Sequence, residues 1–324
     1  MRIAAFAFAV LVLMISTGCA ARDLAGPLIP EGAVVEKVAD GYRFTEGPAA
    51  GPDDKIYFTD IPAELILRFD PETGQTEVYA SESGRANGLA FNTLGNLVAC
   101  RHGGRDVAVL DILRTRAADN VAHWGPPNYA TRHIEGTRLN SPNDLTIDSE
   151  GGIYFTDPRY GNRDNMEMET EGVYYAWIEL EGLESLQKHL WHNRRIIDDL
   201  VRPNGIVLSP NESILYVADA GANVIYVYDI ESPGKIVNQR AFARLNNGEG
   251  RGGPDGMCVD RYGRVYAAGQ EAIWIYNLDG SDAGKIDVGP QCTNCTFAND
   301  GRTLYITADH GLYRIELNTD AAAD

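Results

Sequence analysis

The chain repeats itself six times, and this restricts its fold more than any other feature. Each copy has a polar lead residue, then Gly or a small or apolar residue. An alternating strand follows, then a turn carrying Asp, Asn or Gly, and a second strand with an aromatic residue. The copies are EGPAAGPDDKIYFTD from Glu46, NGLAFNTLGNLVACR from Asn87, NDLTIDSEGGIYFTD from Asn143, NGIVLSPNESILYVAD from Asn204, DGMCVDRYGRVYAAG from Asp255 and NCTFANDGRTLYITAD from Asn294. Successive leads lie 41, 56, 61, 51 and 39 residues apart, room for four short strands with loops of varying length. Third and fourth strands follow each copy, for example LILRFD and TEVYA after the first, VIYVYD and VNQRAFA after the fourth. A four-stranded antiparallel unit that cannot bury its own faces is the blade of a β-propeller. The expected fold is therefore all-β, a six-bladed β-propeller. The sixth copy offers LYRIEL as its third strand and nothing after it, so AVVEKVA at 33–39 is expected to supply its outer strand and close the ring. A two-sheet sandwich is the alternative, and it leaves six equivalent leads unexplained. Trp177–Leu190 is the one stretch with a helical pattern.

In a propeller the first strand of each blade lines the central channel. The leads Glu46, Asn87, Asn143, Asn204, Asp255 and Asn294 should therefore meet at one mouth. All six offer oxygen and none offers thiol or imidazole, a donor set suited to a hard cation such as calcium rather than to zinc or copper. Asn or Asp before Gly is also ordinary turn chemistry. Six such residues in register, one of them Glu, are harder to ascribe to turns. The loops after the second strands share this mouth and begin at Asp60, Arg101-His102, Asp157, Asp219, Gln270 and Asp309-His310. The longest, DPRYGNRDNMEMETEG at 157–172, reads equally as a lid or as a solvated acidic flap.

A formal net charge of -18 disfavours nucleic acid, whose phosphates would be repelled. Residues 1–18 read as a secretory signal: Met1-Arg2, an apolar run from Ile3 to Ile15, then Ser16-Thr17-Gly18 before Cys19. The end resembles a bacterial lipoprotein signal, which would make Cys19 the lipidated first mature residue, although Ser16 stands where Leu is usual. Residues 19–32 read as a tether and 33–320 as one propeller domain. The expected location is outside the cytoplasm: periplasmic, membrane-anchored through that lipid, or secreted. Cys100 and Cys258 sit in apolar strand runs and are expected as buried thiols. Cys292-Thr-Asn-Cys295 has no second pair for a zinc ribbon; a structural role is favoured, with a disulfide left open.

The segments FTEGP, ANGLAF, NSPNDL with GGIYFTDPRYG, RPNGIVLSPNESILYVAD and GGPDGMCVD resemble the gluconolactonase and senescence-marker-protein (SMP-30) family of calcium-dependent lactonases, over about residues 40–318. The resemblance implies a six-bladed propeller holding one catalytic divalent metal. Carried over by motif, Glu46, Asn204 and Asp255 would be metal ligands and Asn143 a ligand or substrate contact. Asp255 would also be the candidate base. His102 is a candidate for substrate contact or proton transfer, and Arg138 for binding sugar hydroxyls; Asn87 and Asn294 would line the pocket. The implied activity opens a sugar lactone to its hydroxy acid with calcium, while zinc, manganese and magnesium stay open. The alternatives are a same-architecture hydrolase of other lactones, esters or organophosphates, and a non-enzymatic propeller stapled by its cation. The chain has no G-x-S-x-G elbow and no H-E-x-x-H motif. GEGRGG at 248–253 leads into Pro254 and a strand rather than a helix, so it is not a phosphate loop.

Overall fold

The computed structural model of the chain describes residues 27–110, 128–178, 191–245 and 253–320. The stretch read as a secretory signal, Cys19, most of GEGRGG and residues 179–190 of the helix-patterned stretch lie outside the described residues. Trp177 and Ile178 from that stretch end a β-strand.

Strands dominate because the repeats alternate aromatic and β-branched residues between Gly, Asp and Asn turns. Six four-stranded antiparallel sheets form, and a two-stranded hairpin, β10 (His133–Ile134) with β11 (Thr137–Arg138), stands apart from them. Blade one is β2 (Thr45–Ala50), β3 (Ile56–Asp60), β4 (Leu65–Asp70) and β5 (Gln75–Ala80). Blade two is β6 (Ala86–Phe91), β7 (Leu97–Arg101), β8 (Asp106–Leu110) and β9 (Asn128–Thr131). Blade three is β12 (Leu145–Ile147), β13 (Ile153–Asp157), β14 (Gly172–Ile178) and β15 (Trp191–Ile197). Blade four is β16 (Pro203–Leu208), β17 (Ile214–Asp219), β18 (Val224–Ser232) and β19 (Lys235–Ala243). Blade five is β20 (Met257–Val259), β21 (Val265–Gly269), β22 (Ala272–Tyr276) and β23 (Asp282–Asp287). Blade six is β24 (Cys292–Phe297), β25 (Thr303–Ala308) and β26 (Gly311–Glu316), completed by β1 (Glu36–Asp40).

The expected closure is present: β1 pairs antiparallel with β26, Glu36 opposite Arg314, and their side chains form an ion pair of 2.9 Å. Residues 27–32, in the stretch read as a tether, lie against the same blade. Leu28 and Ile29 pack on its core, and Asn318 N donates to Leu28 O at 2.9 Å.

The core is divided among the blade interfaces. Six apolar clusters each join neighbouring blades, and one of them joins blade six to blade one through Tyr305, Leu312, Phe58 and Phe69. An open row of six blades would have only five such interfaces, so the sixth cluster marks a closed ring. The first strands agree: each touches the next around the circle, and β24 touches β2. Second strands such as β3, β13 and β21 are buried throughout, while outer strands β15, β19 and β23 carry Arg, Lys, Asn and Asp on exposed positions that discourage edge-to-edge pairing.

Candidate metal centre at the channel mouth

The innermost ring is laced from blade to blade through the leads. Gly88 N donates to Asn143 O (2.8 Å), Gly205 N to Asp255 O (3.2 Å) and Gly256 N to Thr293 O (2.8 Å). Threonine hydroxyls add Thr59 to Asn87 O (3.2 Å), Thr156 to Asn204 O (2.7 Å) and Thr293 to Thr45 O (2.9 Å). This close approach explains the Gly after four of the leads. A Cβ at Gly47 would overlap Asn87 O, one at Gly205 would overlap Asp255 O, and one at Gly256 would overlap the Asn294 amide. Blades three and six break the column with Asp144 and Cys295.

In blades one, three and four the loop that brings the first strand to the mouth is held by the aspartate ending the second strand. Asp60 accepts from Arg43 N and Phe44 N, Asp157 from Asn140 N and Ser141 N, and Asp219 from Val201 N and Arg202 N, all at 2.7–3.3 Å. These carboxylates are spent on backbone amides, which makes them scaffold.

Glu46, Asn87, Asn143, Asn204 and Asn294 are buried, and Asp255 is half-buried. Burial, then the charges of Asp255 and Asp144, push the Glu46 carboxyl well above its ordinary range. Burial pushes Asp255 up to about 7, opposed by a hydrogen bond from Asn204 and reinforced by Asp144. Asp144, buried one step past Asn143, is pushed up to about 7, again by burial. Its Oδ2 accepts from Asn294 Nδ2 at 3.3 Å, so a side chain of blade three reaches a lead of the opposite blade. Glu46, Asn204, Asp255, Asp144 and Asn294 thus form one electrostatic unit. Asn143 joins the ring through its backbone, N to Thr156 O at 2.9 Å and O to Gly88 N.

The donor set fits a hard divalent cation. Asn204 Oδ1 is buried with no hydrogen-bond partner, an arrangement that costs about 1–3 kcal/mol unless something compensates. The groups acting on Asp144 and Asp255 include no Arg or Lys among the described residues. Buried carboxylates beside an orphaned amide oxygen, with no basic partner, are what a dication satisfies. No three His, Cys, Asp or Glu side chains among the described residues cluster as metal ligands by themselves, so such a site depends on amide oxygen as well as carboxylate.

His102 stands beside this unit, its Nε2 3.1 Å from Asn87 Nδ2. The amide must donate, so the ring nitrogen accepts and the imidazole is neutral. Burial, then the charges of Arg85 and Arg159, lower its pKa to about 4. Arg138, on β11, donates through Nη2 to Gly104 O (3.0 Å) and through its backbone N to Glu167 Oε2 (3.2 Å). It therefore borders the His102 loop rather than a lead residue.

Sequence reasoning missed Asp144 and Tyr160. Asp144 has a visible signal, a carboxylate in a column that is Gly in four of the six repeats. Tyr160 has none, because it reaches Asn204 from the long loop: Asn204 Nδ2 donates to Tyr160 Oη at 2.8 Å, and the Arg202 guanidinium lies 5.1 Å from the Tyr160 ring centroid. That loop is fastened by Arg159 to Asn140 O (2.7 Å), Arg105 to Asn165 O (3.1 Å) and an internal ion pair of Arg163 with Glu171 (2.5 Å). A cavity of about 530 Å³ lies elsewhere. It opens at the turns joining first to second strands in blades four and five, near Ser209, Tyr262 and Leu278, on the face away from the leads. It offers no comparable convergence of buried donors.

A family model described as SMP-30/Gluconolactonase/LRE-like region matches residues 44–310. A gluconolactonase of Zymomonas mobilis is 31% identical, with 88% of this chain and 82% of the relative covered. Pentonolactonase XacC of Haloferax volcanii is 27% identical, with 86% of each covered. A gluconolactonase structure from Xanthomonas campestris superposes with a TM-score of 0.74 at 29% identity, covering 88% of this chain and 90% of that one.

Proposed function

The chain belongs to the SMP-30/gluconolactonase/LRE-like family, and from that membership we propose that it opens the ester ring of a sugar lactone, releasing the hydroxy acid, at this channel mouth. The observation that carries the placement is Asn204 Oδ1, buried and partnerless on a side chain that reaches Asp255, whose charge in turn repels that of Glu46. Glu46, Asn204 and Asp255 would hold a divalent cation, with Asn143 as a further ligand or substrate contact. Calcium suits the all-oxygen set best, with zinc, manganese and magnesium as the competing choices. When bound, the ion supplies Lewis-acid polarisation of the lactone carbonyl.

The chain's own residues do the rest. Asp255 is the only one of the six leads that is not buried, and its carboxylate orients the attacking water and accepts its proton. Water adds to the carbonyl carbon, the ring C–O bond breaks, and that proton returns to the ring oxygen. Ligation of a divalent cation by Asp255 would keep its carboxylate ionised at the cost of basicity, and positioning would then carry more of the rate than base strength. Neutral His102 hydrogen-bonds a substrate hydroxyl without adding charge, and Arg138 borders the same side.

The test is hydrolysis of a panel of aldonolactones, simple esters and an organophosphate, followed by acid release. Turnover confined to lactones, lost by at least about 100-fold in Asp255→Asn, supports the reading. Preference for the ester or phosphotriester, or no turnover at all, would replace it with the related hydrolase or with a cation-stapled binding propeller.

A further inference from the structure

Two cysteines that play no part in the lactonase reading face each other across the interface of blades five and six. Cys258 on β20 and Cys295 on β24 are both buried, and their Sγ atoms are 3.2 Å apart. We propose that Cys258 and Cys295 are a covalent modification site, oxidised to an inter-blade disulfide that clasps the inner strands of blades five and six.

The pairing follows from the strands. Cys258 lies three residues after Asp255, and Cys295 directly follows Asn294, in the column where most blades have Gly. The bond therefore ties together the strands that carry two leads. The pair suggested by sequence spacing is disfavoured. Cys292 and Cys295 share β24, and three residues of strand span about 10 Å, beyond the roughly 4.4–6.8 Å between Cα atoms that a disulfide needs. A bulge between Cys292 and Asn294 shortens the path, yet the sulfurs still diverge: Cys292 Sγ turns to Pro290 O (3.7 Å), Cys295 Sγ to Cys258 and Tyr266 O (3.5 Å). Cys100 is elsewhere, against Asp144 O at 3.6 Å.

In the reaction two S–H bonds are lost and one S–S bond forms. Two protons and two electrons pass to a low-molecular-weight disulfide such as oxidised glutathione, which becomes two thiols. The Cys258 thiol, pushed well up by burial, exchanges slowly once the blades are packed. The bond is therefore acquired as the chain folds.

The full chain is refolded from denaturant with oxidised and reduced glutathione, alkylated while unfolded, and peptide-mapped by mass spectrometry. Cys292 and Cys295 share the tryptic peptide between Lys285 and Arg302, so Cys292→Ser is mapped alongside. Expected is a cross-link from the Cys258 peptide to the 286–302 peptide, retained in Cys292→Ser and absent in Cys258→Ser, with the melting temperature raised by roughly 5–10 °C over the reduced protein. Alkylation of all five cysteines, or a loop-linked Cys292–Cys295 peptide, would overturn the proposal. Both are read in the unsubstituted protein even if Cys258→Ser fails to fold.

Discussion

Tyr160 Oη accepts a hydrogen bond from Asn204 Nδ2 at 2.8 Å, and Asn204 Oδ1 is left buried with nothing to accept. A residue from a loop of blade three therefore holds the nitrogen end of a blade-four amide and leaves its oxygen end unpaired. Tyr160→Phe removes the acceptor and lets the amide rotate. One neutral hydrogen bond contributes about 1 kcal/mol, so calcium affinity should fall roughly 5-fold with the melting temperature nearly unchanged. Calorimetric titration beside a thermal melt separates this from a folding defect.

Gly256 has no room for a side chain, because a Cβ there would overlap Asn294 Cγ. Gly256→Ala must push blade six outward or displace Asn294 from Asp144. The expected loss of stability is about 1–3 kcal/mol, seen in denaturant melts. Gly289→Ala separates backbone strain from overlap: its Cβ meets nothing within 4 Å, while its φ of 102° strains any side chain placed there. Equal stability of Gly256→Ala and the parent would mean that the inner ring is looser than its hydrogen bonds imply.

His102 should not titrate near neutrality. Its folded pKa is lowered to about 4 by burial, then by Arg85 and Arg159, against about 6.5 in an unfolded chain. Between those values the unfolded state binds the proton first, so stability from neutral His102 is complete above about pH 6.5 and is lost as pH falls toward 4. An NMR titration of the imidazole should show a midpoint near 4. A midpoint between 6 and 7 would show His102 open to water and uncoupled from Asn87.

Much of this was legible in the sequence because the repeat is strict. The lead positions, the six blades and the ring-closing strand near residues 33–39 follow from spacing alone, since a blade needs four strands and the sixth copy supplied three. Asp144 is readable in principle, as a carboxylate in a column that is Gly in four of the six repeats. Tyr160 and the Cys258–Cys295 contact were not readable. The first is 44 residues from its partner and the second 37, and both depend on how blades turn toward one another. The C-x-x-C spacing of Cys292 and Cys295 left a disulfide between them open, and the structure turns their sulfurs to different partners, because proximity along a strand is not proximity in space.

The most direct measurement is calorimetric titration of chelator-stripped protein with calcium, comparing the parent with Glu46→Gln and Asp255→Asn. The account predicts one site per chain in the parent, weakened at least about 10-fold in each variant, since each removes a charge from a hard-cation donor set. Binding of equal strength in all three proteins, or none in the parent, would contradict it.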